Sequence, residues 1–92
     1  MFAISFDLVV RKISALHPKG IPQAYSEIAA TLGQYGFQRV QGSVYLTDQE
    51  DLANLVRVMN ALRSLAWFPA CVRDIRAFRV EQWSDFTSLI KE

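Results

Sequence analysis

The stretch Phe2-Ala3-Ile4-Ser5-Phe6-Asp7-Leu8 decides the fold. Phe2, Ile4, Phe6 and Leu8 fall on one side of an extended chain. Ala3, Ser5 and Asp7 fall on the other, which is the period-two pattern of a half-buried strand. Asp7 is the anomaly. A carboxylate at the end of an apolar strand lowers β-propensity and adds nothing to a core. It makes sense where the open face of the sheet holds something cationic: a metal, an arginine or a hydrated partner surface. The competing reading is a solvated strand-end aspartate that starts a turn.

Outward from this strand, Val9 to Ile21 mixes Val9, Val10, Ile13 and Leu16 with the breakers Pro18 and Gly20, followed by Pro22. This predicts a loop or a short turn of helix. A helix is expected over about Pro22 to Gln34, with Tyr25, Ile28, Ala29 and Leu32 as its buried face and Gly36 as its stop. Phe37 to Leu46 reads as extended, with Val40, Gly42, Val44 and Leu46 on one face and Arg39, Gln41, Ser43 and Tyr45 on the other. Gly42 marks either a bulge or a break into two strands. Thr47-Asp48-Gln49-Glu50 matches a capping box. It introduces a helix whose stripe is expected at Leu52, Leu55, Val56, Met59 and Leu62. Trp67-Phe68-Pro69 turns the chain, and Cys71 to Val80 is a further strand. Its helix-facing side is assigned to Cys71, Ile75 and Ala77, and its open side to Val72, Asp74, Arg76, Phe78 and Val80. Glu81 to Glu92 carries Trp83, Phe86, Leu89 and Ile90, too apolar for a free tail, and is expected to dock on the core or on a partner. The order strand, helix, strand pair, helix, strand, with helices on one side, predicts an α+β, ferredoxin-like βαββαβ two-layer sandwich.

Ninety-two residues form one domain, spanning 1–92. A chain of this size buries roughly 60–65% of its unfolded surface. Its hydrophobic fraction of 51% is high for so little interior, which points to an oligomer interface. The net charge of +1 selects no partner globally, but Arg73, Arg76 and Arg79 cluster around Asp74, and Arg11-Lys12 follow the first strand. A neutral chain with a basic face retains the electrostatics of nucleic-acid binding; for any single arginine the competing reading is ordinary surface charge. The single cysteine, Cys71, excludes an intrachain disulfide and a zinc cluster and reads as a buried structural thiol. The single histidine, His17, lies in His17-Pro18-Lys19-Gly20 and is expected to be a solvated loop residue, not a general base. No basic n-region precedes the first strand, so no signal peptide is expected. No apolar run reaches membrane-helix length, so no membrane partner is expected and the cytoplasm is the expected location.

Met1-Phe2-Ala3-Ile4-Ser5-Phe6-Asp7-Leu8, Ala24-Tyr25-Ser26-Glu27-Ile28, Gly36-Phe37, Gln41-Gly42-Ser43-Val44-Tyr45, Val72-Arg73-Asp74-Ile75-Arg76 and Asp85-Phe86-Thr87 together resemble the virulence-associated protein D (VapD) family. The likeness runs through nearly the whole chain in order and is weakest over Val9 to Ile21. It implies a small ferredoxin-like homodimer, related to the small CRISPR-associated nucleases of spacer acquisition. It also implies endoribonuclease activity on single-stranded RNA and, in some members, the toxin role in a toxin–antitoxin pair with an antitoxin protein as partner. In the CRISPR relatives an aspartate ending the first strand faces its dimer mate, and the two can hold a divalent cation such as Mg2+. Asp7 matches that position, as metal ligand and catalytic residue; Ser43 and Tyr45 match the motif on the neighbouring strand.

The residues are compatible with that chemistry. RNA carries its own nucleophile in the 2′-hydroxyl, so a site without histidine can rely on a carboxylate-held cation and arginines. Ser43 and Tyr45 can bond a phosphate, and Tyr45 can stack on a base. Arg11, Lys12, Arg73 and Arg76 are the candidate RNA-backbone contacts. Two further readings stand beside this one: a non-catalytic dimeric module that binds nucleic acid or protein, and a purely structural dimer in which Asp7 and Arg76 form an ion pair.

Overall fold

The structure, a computed structural model, describes all 92 residues. Four strands, β1 (Phe2–Leu8), β2 (Gln38–Gln41), β3 (Val44–Thr47) and β4 (Val72–Arg79), form one antiparallel sheet in the order β2-β3-β1-β4. The helices are α1 (Val10–Leu16), α2 (Ile21–Gly33), α3 (Leu52–Arg63), the single turn α4 (Phe68–Cys71) and the short α5 (Thr87–Lys91). With α2 and α3 as the two crossovers, this is the expected ferredoxin-like α+β arrangement.

The core lies between the sheet and α1–α4. Ile4, Phe6 and Leu8 of β1 meet Ile13, Ala24, Ile28, Leu32, Val58 and Leu62 from the helices, together with Tyr45, Phe68 and Cys71. The predicted alternation of β1 holds there. The helix faces are rotated from those expected. In α2 the buried residues are Ala24, Ile28 and Leu32, whereas Ala29 is exposed. In α3 they are Asn54, Val58 and Leu62, with Leu55 and Met59 half-buried, while Leu52 and Val56 point outward. Asn54 explains the second rotation: its Nδ2 donates to Tyr35 O at 3.0 Å, fixing that face of α3 against the end of α2.

Of the two alternatives for the segment after β1, the short helix forms: Val10–Leu16 makes two turns, anchored by the fully buried Ile13. Two local expectations are corrected. The α3 cap is Asp51, whose Oδ1 accepts from Ala53 N at 2.9 Å, and not Thr47 with Glu50. Thr47 Oγ1 accepts from Gln49 N in a preceding turn, and Glu50 is drawn away by stronger partners, the N-terminal amine and Arg79. Finally, Cys71 closes α4 and does not begin β4.

Gly36 stops α2 as expected. Its φ of 82° is left-handed, and Phe37 N reaches back to Leu32 O at 3.1 Å. Gly42 divides the 38–47 run into a hairpin, with Gly42 and Ser43 in the turn. The sequence left open which face of that hairpin meets the core. Tyr45 lies opposite Ile4 and is buried in the core, stacked on Phe6 at 6.1 Å, whereas Val44 and Leu46 lie opposite Ser5 and Ala3 on the sheet's other side. Apolar residues on both faces mean that the face away from the helices is not simply a solvated surface.

Candidate functional site

The functional candidates gather where β1 ends. Asp7 lies directly opposite Asp74 across the β1–β4 ladder, on the face away from the helices. One step along, Ser5 faces Arg76, and beyond it Ala3 faces Phe78. The predicted open side of β4 is therefore correct for Asp74, Arg76 and Phe78. It fails at Val72. The register shifts between Asp7 and Leu8, so that Leu8 pairs with Val72 and Arg73 is left as the extra residue of a β-bulge. Val72 thereby joins the core side.

Two acids facing each other across antiparallel strands repel. Here each has a guanidinium. Arg73 Nη1 donates to Asp7 Oδ2 at 3.1 Å. Arg76 grips Asp74 with two bonds, Nε at 3.0 Å and Nη2 at 2.9 Å, and these hydrogen bonds and the nearby charge hold Arg76 more firmly protonated than usual. The arginines read from sequence as free phosphate contacts are thus already engaged. The structural-dimer reading, which paired Asp7 with Arg76, is corrected as well: the partner of Asp7 is Arg73. By contrast Arg11 and Lys12, exposed in the first turn of α1 just beyond Leu8, make no ion pair within the chain.

Ser43 is close by. Its carbonyl accepts from Phe6 N at 3.1 Å, which places the β2–β3 turn beside the last residues of β1. Arg39 Nε braces the same turn by donating to Gly42 O at 3.0 Å. Tyr45 is not brought to Asp7. Its ring belongs to the core on the other face, and burial pushes its hydroxyl above the ordinary value of 10.0, with Arg39 pulling the other way.

His17, expected in solvent, is buried. Its Nδ1 accepts from Lys19 N at 3.0 Å, so the network places the proton on Nε2, which meets Glu27 Oε2, and the ring sits edge-on to Trp67 at 5.2 Å. Both nitrogens are occupied, so His17 latches the α1–α2 loop and leaves no histidine in the strand-end cluster. No signal in the sequence paired His17 with Glu27 ten residues on. As for a metal, no three His, Cys, Asp or Glu side chains of one chain converge on a point. Asp7 keeps Oδ1 free of hydrogen bonds within the chain, so the donor set fits a hard cation only if further carboxylates arrive from another copy.

A ferredoxin-like sheet with a polar, acid-containing cluster at the end of β1, flanked by unpaired cations, defines a class of small α+β proteins with a candidate phosphate-handling site. Comparison with known proteins makes this specific. The sequence model of the family described as CRISPR associated protein Cas2 matches residues 1–87. The chain is 62% identical over 91 residues to a protein of Neisseria gonorrhoeae named "Endoribonuclease VapD homolog", covering 99% of both chains. It is 57% identical to "Endoribonuclease VapD" of Haemophilus influenzae, over 99% of both. A third relative, "Endoribonuclease VapD" of Dichelobacter nodosus, is 44% identical over 99% of this chain and 98% of its own. The chain belongs to the Cas2 family, within its VapD branch.

Proposed function

We propose that this protein is an endoribonuclease that cleaves single-stranded RNA at the end of β1, working as a homodimer. The observation that carries the reading is the strand-end cluster: Asp7 in the open, opposite Asp74, with the Ser43 turn beside it and unpaired Arg11 and Lys12 next in the chain. The names borne by full-length relatives at 44–62% identity support the reaction class. In this reading Asp7 acts at the reacting phosphate, either directly or as ligand to a divalent cation such as Mg2+. Such a cation would be shared with Asp7 of a second copy and would supply charge neutralisation at the phosphate. Ser43 contributes a hydroxyl to the phosphate, and Arg11 and Lys12 contact the RNA backbone. Tyr45 supports the site from behind, as the floor under Phe6.

No helix is long and apolar enough to cross a membrane. We place the activity in the cytoplasm, where RNA is available. A toxin role opposed by an antitoxin protein is in keeping with the family resemblance; growth arrest on expression of the wild-type chain, absent with Asp7→Asn, would support it.

The test is cleavage of a defined single-stranded RNA by purified wild type and Asp7→Asn, each with and without chelator. Loss of at least a hundredfold in rate for Asp7→Asn, with an unchanged melting curve, is expected. Chelation that mimics the substitution assigns the cation; cleavage that survives chelator but still needs Asp7 assigns direct action of the carboxylate. Equal rates for Asp7→Asn and wild type, with RNA binding retained, would favour a non-catalytic nucleic-acid-binding module instead.

A further inference from the structure

The bulge at the end of β4 has a chemical consequence. Ile75 lies opposite Phe6 and Ala77 opposite Ile4, so both stand on the helix side of the sheet. Strict alternation would send Arg73 to that side too, next to Leu8 in the core. A guanidinium there would be desolvated without a partner, which is strongly unfavourable. The register shift between Asp7 and Leu8 removes Arg73 from the ladder and puts Val72 in its place against the core. The displaced arginine ends with Nη1 3.1 Å from Asp7 Oδ2.

No other cation takes that place. Arg76, the nearest alternative on the open face, spends Nε and Nη2 on Asp74. Without Arg73, Asp7 would face Asp74 with no counter-charge of its own. The contact does little for the fold: the side chains of Arg73 and Asp7 are 62% and 60% exposed, and solvent screens exposed pairs of this kind. Besides sparing the core a guanidinium, the bulge sets this exposed contact directly on the carboxylate that the proposed function assigns to the reaction.

We propose that Arg73 is a positioning residue for Asp7. Its guanidinium holds one carboxylate oxygen, Oδ2, against the repulsion of Asp74 and leaves Oδ1 available to the reacting group. It is not a contact to the RNA backbone; Arg11 and Lys12 supply that. The proposal rests on the reading of Asp7 as the functional carboxylate.

The experiment is a double-mutant cycle in RNA cleavage by the full chain, using Asp7→Asn, Arg73→Gln, the pair together, and Arg73→Lys, with melting temperatures recorded for each. Arg73→Gln is expected to lower kcat by tenfold or more with KM within twofold, because misplacing a reacting group is expressed in the chemical step. Arg73→Lys should recover part of the loss, and the double variant should be no slower than Asp7→Asn alone. In the Asp7→Asn background, loss of Arg73 should leave the salt dependence of RNA binding unchanged. A phosphate contact would behave differently, raising KM and flattening the salt slope by about one unit; that result would overturn the proposal, as would independent, additive losses in the cycle. An unaffected Arg73→Gln enzyme alongside an inactive Asp7→Asn enzyme would sink the positioning role alone. Full activity of Asp7→Asn would instead remove the reading beneath it. Both side chains are exposed, so the variants should fold; should Arg73→Gln not fold, the charge-keeping Arg73→Lys still tests the kcat-against-KM split.

Discussion

Tyr45 shows how one side chain's surroundings set what it can do. Its ring stacks on Phe6 and its hydroxyl titrates above the ordinary value because burial disfavours the phenolate. The neutral form is thus favoured by folding. The unfolded chain releases this proton near the ordinary value of 10.0, and the folded chain holds it to higher pH, so the stabilisation is complete below that value and declines as pH rises through the folded pKa. Tyr45→Phe should therefore remove part of the alkaline loss of stability above about pH 10, seen as a flatter melting temperature against pH. Cleavage at neutral pH should change far less than on loss of Asp7; an equally severe loss would show that the hydroxyl, not the ring, matters. Glu50 titrates in the opposite sense. The N-terminal amine, chiefly by its hydrogen bond, and Arg79 hold it below its usual range. Its contribution is present at neutral pH and lost as pH falls through the lowered value, so Glu50→Gln should blunt acid destabilisation measured by circular dichroism.

Among the elements, the loops that follow α1 and α2 carry testable strain and packing. Gly36 has a left-handed backbone, and a Cβ built there would lie 2.6 Å from Gln49 Nε2, the movable tip of a side chain. Gly36→Ala should cost about 1 kcal/mol, the price of the backbone conformation, and Gln49→Ala should not restore it; recovery in the double variant would mean that the clash dominated. His17 holds the α1–α2 loop through Lys19, Glu27 and Trp67. His17→Ala leaves these groups unpaired around a cavity and should lower stability by roughly 2–3 kcal/mol while sparing the Asp7 chemistry per folded molecule. These elements also show what the sequence made legible. The faces of β1 and the open side of β4 from Asp74 to Phe78 followed from simple alternation. Arg73 did not, because a bulge leaves no mark in a period-two pattern. Tyr45 did not, because a hairpin apolar on both sides gives no preference between its faces. The cap of α3 was displaced by one turn because Asp51 competes with Thr47, and an electrostatic partner distant in sequence captured Glu50.

At the scale of the whole molecule, the chain exposes more than its size requires. Its accessible surface is 6240 Å², whereas a monomeric protein of 10.5 kDa is expected to expose about 5400 Å². The difference is close to the roughly 800 Å² that each partner buries in a standard interface. The radius of gyration of 14.1 Å likewise exceeds the ~12 Å expected for this length, and the shortest dimension of only 20 Å describes a flat body. Exposed large apolar side chains lie on α1 and α3 as well, but those on the sheet and after β4 have no helix beside them. Phe78 is on the face away from the helices. The segment after β4, where Trp83 and Phe86 line a cavity shared with Val40 of β2, adds Leu89 at 63% and Ile90 at 79% exposure. Segment 81–92 is thus neither docked in the core nor solvated by composition, as a strap meant for a second copy would be. Phe86→Glu with Ile90→Glu should convert a dimer of about twice the chain mass into a monomer by light scattering at tens of micromolar, with the sheet and helices intact by circular dichroism. Cleavage per chain should fall with the dimer if the site is shared between copies, and should persist in the monomer if each chain carries a complete site. A wild-type chain that scatters as a monomer at that concentration would show that this apolar surface serves a different partner.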